Sequence, residues 1–181
     1  PSGGLLVPML GVGGHCLPKD GVLLWWRALE AGSDTSRSLI LESRRINDES
    51  PAATLALGER ALGSFAGRKV ALLGAAYRGN SEDTRNSPTL AFAAVLRDRG
   101  IPFVIHDPYV YQTDANLKKA GVTEQFTREL AEAVGNADVI VLCCPHRVYA
   151  EQWNAIVAMA PKARQVVDAC NLMRAKDVSA T

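Results

Sequence analysis

Residues 11–20 gather three glycines, a thiol, an ammonium group and a carboxylate into one short segment. Glycine lets a backbone come close to a ligand, because it carries no side chain. The Cys16 thiol follows His15 and lies near a predicted helix start, so it could ionise and act as a nucleophile. Asp20 would lie one helical turn from Cys16 and could handle a proton or a water molecule. The alternative is that Cys16 is a small buried apolar side chain, as single cysteines often are.

A second group of candidate residues follows the first predicted strand. Residues 74–79 occupy the position of the phosphate loop in a dinucleotide-binding fold, but Ala76 stands where that loop has its second glycine. Asp107 ends the next predicted strand, about 33 residues on rather than the ~20 of the dinucleotide pattern. Arg78 and Arg85 carry guanidinium groups suited to phosphate. These features fit either a nucleotide-binding module without a complete fingerprint or a generic turn without a ligand.

The elements that position these residues are predicted from hydrophobic periodicity and from helix-ending residues. Residues 1–16 are glycine-rich and predict a loop. Predicted helices cover residues 20–29, about 36–47, 52–62, 88–99, 127–134 and 153–160, and predicted strands cover 69–74, 103–105, 137–142 and 165–168. Pro51 either starts a new helix or kinks the preceding one. Strands that alternate with helices predict an α/β fold with a parallel, Rossmann-like sheet after a helical segment. We expect two domains, residues 1–66 and 67–181.

Composition excludes several classes of protein. The chain has 181 residues, 20 basic and 19 acidic, and 48% of them are hydrophobic. This composition is typical of a globular domain and argues against disorder, collagen and coiled coil. Near-neutral charge argues against nucleic-acid and membrane-surface partners. The four cysteines form no C-x-x-C pair, so no metal site is expected. No signal peptide is recognisable, and we expect a reduced, cytoplasmic protein.

Several of these segments, taken in order, resemble the UDP-glucose/GDP-mannose dehydrogenase family. The resemblance rests on GVGGHCLPKD at 11–20, RRIND at 44–48, KVALLGAAYR at 69–78, EDTRNSP at 82–88, HDPY at 106–109 and VD at 167–168. It covers essentially the whole chain. It implies an NAD-binding domain that this sequence lacks, a central helical dimerisation region and a C-terminal UDP-binding domain. The first residue is Pro1 rather than methionine, which agrees with a piece of a longer chain.

The resemblance implies a reaction in which the C6 alcohol of a UDP-sugar becomes a carboxylate through two hydride transfers to NAD. Cys16 would be the nucleophile, forming a thiohemiacetal and then a thioester, and Asp20 would organise the water that cleaves it. Contacts with the cofactor are implied for Lys19 and Arg85, and contacts with the substrate for Gly11, Gly13, Tyr77 and Arg78. Residues 36–62 would form a homodimer. The fragment would be inactive without the NAD domain, and the alternative is a non-catalytic UDP-binding and dimerisation module.

Three residues qualify this resemblance. His15 before the cysteine is similar to the branch that acts on UDP-N-acetylmannosamine or UDP-N-acetylglucosamine. Arg78 stands where the family commonly has lysine. Cys170 stands where the family usually has an arginine, so one substrate contact is expected to be missing.

Overall fold

The computed structural model describes residues 9–173, and five parallel strands form its centre. The strands are β1 (Val70–Leu73), β2 (Phe103–His106), β3 (Phe126–Thr127), β4 (Val139–Leu142) and β5 (Gln165–Asp168). Their order in the sheet is β3-β2-β1-β4-β5, and every neighbouring pair is parallel. The central strands β1 and β4 are buried along their whole length. The predicted α/β class with a Rossmann-like parallel sheet is therefore confirmed.

Helices precede the sheet in the chain and then cover it. They are α1 (Leu17–Glu30), α2 (Leu39–Leu62), α3 (Pro88–Asp98), α4 (Ala115–Ala120), α5 (Leu130–Val134), α6 (Arg147–Glu151) and α7 (Trp153–Met159), with a short 3-10 helix at Thr123–Gln125. Consecutive strand residues face opposite sides, so Leu72 packs in one core cluster and Leu73 in the other. Within residues 9–173, no helix is both long enough and apolar enough to cross a membrane.

The second helix is longer than predicted. The Ser38 hydroxyl accepts a hydrogen bond from the Leu41 amide and begins α2, whereas Asp34 accepts from the Ser36 amide and forms a turn before it. Pro51 lies inside α2 and does not end it. Just before this proline, the Ser50 hydroxyl donates to the Ile46 carbonyl at 2.9 Å, a local bond that is often found where a helix bends. The chain therefore continues as one helix to Leu62.

The predicted helix at residues 127–134 is wrong in its first part. Phe126 and Thr127 form the edge strand β3, which pairs with Ile105 and His106 of β2. The Thr127 hydroxyl accepts from the Glu129 amide, so the turn at this point separates strand from helix. The helix itself begins at Leu130. The short helices α4 and α6 were not predicted.

Candidate functional site

Cys16 occupies the N-cap position of α1 and is exposed as a free thiol. The amides of Lys19 and Asp20 donate to the Cys16 carbonyl, at 3.0 and 2.8 Å. The helix begins three residues earlier than predicted, and Asp20 does lie one turn from Cys16. Since α1 begins here, the positive end of the helix dipole is close to the thiol.

Both candidate cofactor cations are held in ion pairs. Lys19 Nζ lies 2.7 Å from Asp20 Oδ1, and Arg85 pairs with Asp83. The pKa of Lys19 is raised, chiefly by the hydrogen bond with Asp20 and to a smaller extent by the charge of Cys16. The pKa of Arg85 is raised in the same way, chiefly by Asp83 and least by Cys16. Both cations are therefore within electrostatic range of the sulfur.

Two asparagines hold the Cys16 loop, residues 11–16, in place. Asn47, on α2, accepts a hydrogen bond from the Val12 amide at 2.6 Å and donates to the Val12 carbonyl at 3.1 Å. The side chain of Asn86 donates to the Gly14 carbonyl at 2.8 Å. The Gly14 amide donates to the carbonyl of Arg85, also at 2.8 Å. Neither asparagine was singled out in the sequence, because each acts on residues that are far away along the chain.

The glycines of this loop make close contacts within the chain itself. A Cβ atom on Gly13 would lie 2.5 Å from Tyr77 Cβ and 2.7 Å from the Asn86 carbonyl oxygen. Gly14 has a φ of +92°, and a Cβ there would lie 3.0 Å from the Tyr77 ring. The Gly11 position is less crowded, with Pro88 Cβ 3.2 Å from a built Cβ. Thus the fold brings Gly13 and Tyr77 together, places Gly11 against Pro88 and leaves Arg78 exposed.

The turn after β1, residues 75–80, differs from a dinucleotide-binding loop and is called the β1 turn. Its amide groups, from Ala75 and Ala76, donate to Asp107 Oδ2 at 2.7 and 3.0 Å. The other carboxylate oxygen, Oδ1, accepts from the amides of Tyr109 and Val110. Asp107 is fully buried. The turn therefore does not fit the pyrophosphate of NAD, and Asp107 is not free to bind a ribose.

His146 completes this buried network. Its Nε2 lies 2.9 Å from Asp107 Oδ2, and its Nδ1 accepts from the Asn80 amide at 2.9 Å. Because Nδ1 accepts a hydrogen bond from the Asn80 amide, we assign the proton of the ring to Nε2, which donates it to Asp107. Burial raises the pKa of Asp107, but hydrogen bonds from His146 and the surrounding amides outweigh it and hold the pKa below its usual value.

His106 is a second buried histidine beside this network. Its Nδ1 lies 2.9 Å from the Tyr149 hydroxyl. Burial lowers the pKa of His106 to about 4, against 6.5 for a free side chain. The unfolded chain therefore binds a proton at His106 in a pH range where the folded chain does not.

We expect His106 to make the folded state less stable as the pH falls from 7 to 5. Over this interval the unfolded histidine becomes protonated and the folded one stays neutral, so the unfolded state is favoured by about 2 kcal/mol. Urea unfolding at several pH values measures the effect, and His106→Asn should remove most of the slope. His15→Asn, at an exposed position, is the control. An unchanged slope in His106→Asn would contradict the assignment.

The other cysteines are structural. Cys143, Cys144 and Cys170 are buried, and burial raises the pKa of each thiol. The Cys170 amide donates a hydrogen bond to Asp168 Oδ1, and the Cys170 thiol lies 3.6 Å from the same oxygen. Cys170 thus packs inward and is buried. Within residues 9–173, no three His, Cys, Asp or Glu side chains are grouped to hold a metal.

An apolar cleft of about 460 Å³ lies between α1 and α2, beside the Cys16 loop. Its walls include Val12, Val22 and Ile40, and at its mouth Leu17 is 77% and Leu39 83% exposed. Because this much apolar surface is unusual on an isolated domain, the helical segment presents a face suited to contact with protein.

Comparison with known sequences gives a consistent result. The model of the UDP-glucose/GDP-mannose dehydrogenase family, UDP binding domain, matches residues 71–175. UDP-N-acetyl-D-mannosamine dehydrogenase of Pyrococcus horikoshii is 34% identical over 172 residues, which are 92% of this chain and 37% of that protein. GDP-mannose 6-dehydrogenase of Pseudomonas putida is 32% identical over 174 residues, again 92% of this chain and 37% of the relative.

Solved structures agree in fold. UDP-D-ManNAc dehydrogenase from Pyrococcus horikoshii has a TM-score of 0.73 and 32% identity, covering 97% of this chain and 38% of its own. NDP-N-acetyl-D-galactosaminuronic acid dehydrogenase from Methanosarcina mazei Go1 has a TM-score of 0.78 and 30% identity, covering 96% of this chain and 37% of its own. The chain therefore spans a little over a third of the length of these relatives.

Proposed function

This chain belongs to the UDP-glucose/GDP-mannose dehydrogenase family, and from that membership we propose that it is part of an NAD-dependent nucleotide-sugar 6-dehydrogenase. The longer enzyme would oxidise the C6 alcohol of a UDP-sugar to a carboxylate. One observation carries the proposal: the exposed Cys16 thiol begins α1, and its loop is fastened to Tyr77 and Arg85 of the UDP-binding part. The present chain would be inactive without the NAD-binding domain.

The chemistry of the chain's own side chains starts at Cys16. Its thiolate would attack the carbon of the C6 aldehyde, forming a carbon–sulfur bond and placing the electron pair of the carbonyl on oxygen, which takes a proton. The resulting thiohemiacetal keeps a reactive aldehyde attached to the protein. After that carbon is oxidised, a thioester remains. Asp20, one turn away, would orient the water that cleaves the thioester to the acid and the free thiol.

Binding roles are proposed for six further residues. Lys19 and Arg85 would contact NAD, which accepts hydride when bound; Gly11, Gly13, Tyr77 and Arg78 would contact the UDP-sugar. Their position supports these roles: Lys19 lies in the first turn of α1, directly after Cys16, and the Arg85 carbonyl accepts the Gly14 amide of the same loop. Since the β1 turn does not fit a pyrophosphate, we assign the main NAD site to a part of the enzyme outside this sequence.

Organisation is proposed along the same lines. Residues 1–66 would belong to the central domain and residues 67–181 to the UDP-binding domain. Residues 36–62 would form a homodimer, and the exposed Leu39, Ile46 and Leu57 on α2 support this. The free thiols of the described chain support a reducing, cytoplasmic setting. No role for nucleic acid or membrane is proposed.

Thiol labelling with iodoacetamide tests the site. Cys16 is exposed whereas the other three thiols are buried with raised pKa values, so we expect Cys16 to react first and faster by at least ~10-fold. UDP-N-acetylmannosamine should slow the labelling of Cys16. The same ligand at ~100 times its Kd should add ~2.7 kcal/mol to the free energy of unfolding.

One control variant and two possible outcomes separate the alternatives. Arg78→Ala removes an exposed cation and should weaken both the protection and the stabilisation without unfolding the chain. If UDP-N-acetylmannosamine stabilises the protein but leaves Cys16 labelling unchanged, the chain is a nucleotide-binding module without the proposed thiol chemistry. If the ligand does neither, the UDP-sugar site is wrong.

A further inference from the structure

The turn that follows β1 is held by an anion from inside the protein. In dinucleotide-binding folds, the amides at this point face a phosphate of the ligand. Here Ala75 and Ala76 direct theirs at Asp107 Oδ2, at 2.7 and 3.0 Å. The carboxylate is fully buried, and its second oxygen is fixed by two amides of its own loop. All its acceptor positions face donors, so it has no free side for a ligand.

The far end of the same turn is held through His146. The ring donates from Nε2 to Asp107 and accepts the Asn80 amide at Nδ1, each at 2.9 Å. His146 is also fully buried, and the Tyr109 ring lies 5.0 Å from it. Asp107 and His146 therefore fasten the beginning and the end of residues 75–80 as one connected network.

Tyr77 lies between these fixed points. Its amide donates to the Asp83 carbonyl at 3.0 Å. Its side chain leaves no room for a Cβ on Gly13, and a Cβ on Gly14 would lie only 3.0 Å from its ring. The placement of the tyrosine is therefore set by the turn on one side and by the Cys16 loop on the other. A shift of the turn would move Tyr77 and this loop contact together.

We propose that the Asp107 carboxylate is a built-in substitute for a ligand phosphate in the β1 turn. With His146, it acts as a positioning residue that fixes Tyr77 against the Cys16 loop. The turn thereby loses its capacity to bind a dinucleotide and becomes a rigid support for a neighbouring site. The part that concerns Tyr77 as a substrate contact rests on the proposed function; the part that concerns the turn does not.

Hydrogen exchange in Asp107→Ala tests the substitution directly. Without the carboxylate, the amides of Ala75, Ala76 and Asn80 should exchange with solvent faster by ~10-fold or more. The first two lose their acceptor, and the Asn80 amide loses the fixed orientation of its acceptor, His146. Sodium formate places a carboxylate of similar size in the vacated space, so it should restore slow exchange. Sodium chloride at equal ionic strength should not. Failure of formate to restore protection would overturn the proposal.

Two further variants supply an alternative to Asp107→Ala and a control. Asp107→Asn fills the same space with an amide whose NH2 group must face backbone donors on one side or the other, so one set of neighbouring amides should lose protection and formate should have no effect. This variant serves if Asp107→Ala does not fold. Asp138→Ala removes a carboxylate that accepts from the Lys69 amide at the opposite end of β1, and should leave the turn unchanged. Full protection of the turn in both Asp107 variants would contradict the proposal.

Binding of UDP-N-acetylmannosamine then tests the positioning role. Its Kd should rise by ~10-fold in Asp107→Ala and fall again with formate, whereas a general loss of stability would not respond to one small anion. If Asp107→Ala binds this ligand with the same Kd as the wild-type chain, the positioning role is refuted. If the wild-type chain does not bind this ligand at all, the proposed function fails, and the exchange experiment still decides whether the carboxylate stands in for a phosphate.

Discussion

Replacing Cys16 with serine in the longer enzyme is expected to abolish formation of the sugar acid. A serine hydroxyl does not ionise near neutral pH and is a poor nucleophile, so the rate should fall by ~10³-fold or more. Binding of the UDP-sugar should be largely unchanged, since Cys16 is exposed and its side chain supports no neighbour in the described chain through a hydrogen bond. The backbone carbonyl of residue 16, which accepts hydrogen bonds from the Lys19 and Asp20 amides, is unchanged in Cys16→Ser.

The assay follows NADH and the acid product with a panel of nucleotide sugars. Two NADH per sugar in the wild-type enzyme would agree with the four-electron oxidation, and one would refute it. Asp20→Asn is the matched variant, because it keeps the thiol and removes the carboxylate proposed to act on the thioester. Acid production at the wild-type rate by Cys16→Ser would exclude the nucleophile, and loss of UDP-sugar binding would indicate a structural role.

Gly74→Ala is expected to destabilise the protein by ~3–5 kcal/mol. Gly74 directly follows β1 and has a φ of +104°, a backbone conformation that residues other than glycine rarely adopt. A Cβ there would also lie 2.9 Å from the Cys144 amide nitrogen and 3.0 Å from its Cα, so backbone would have to move. The Gly74 backbone is fixed meanwhile, since its amide donates to His106 and its carbonyl accepts from the Thr89 hydroxyl.

Gly67→Ala separates the two causes of that loss. Gly67 also has a positive φ, +75°, but nothing lies within 4 Å of a built Cβ. Backbone strain alone should therefore cost ~1 kcal/mol at Gly67, and the excess at Gly74 measures the crowding against Cys144. Urea unfolding of both variants gives the comparison. Equal losses at the two positions would show that the close contact with Cys144 does not matter.

The sheet could be predicted where a strand is long enough to show a pattern. The four strands of four residues each contain consecutive apolar residues, and all four were recognised: Val70–Leu73, Phe103–His106, Val139–Leu142 and Gln165–Asp168. Phe126 and Thr127 were not, because two residues carry no period. Pro51 left open whether α2 was one helix or two, because the neighbours that bury it come from elsewhere in the fold.

The candidate site was predictable only in its local part. The spacing of Cys16 and Asp20 predicted their placement one turn apart. The glycines of the loop predicted a close approach to a ligand, whereas the neighbour that the structure shows at Gly13 is Tyr77 of the same chain. Asn47, Asn86 and the pair of Asp107 with His146 were missed because their partners lie 31 to 72 residues away along the chain. Pairing over such separations leaves no signal in one sequence.

The fastening of the Cys16 loop has a consequence for how the longer enzyme can move. Asn47 bonds the loop to α2, while Asn86 and the Arg85 carbonyl bond it to the segment before α3. Four hydrogen bonds would have to break for the loop to swing as a hinge. In the proposed dehydrogenase, a closing motion around substrate would therefore carry the sulfur and the sheet together as a single rigid body.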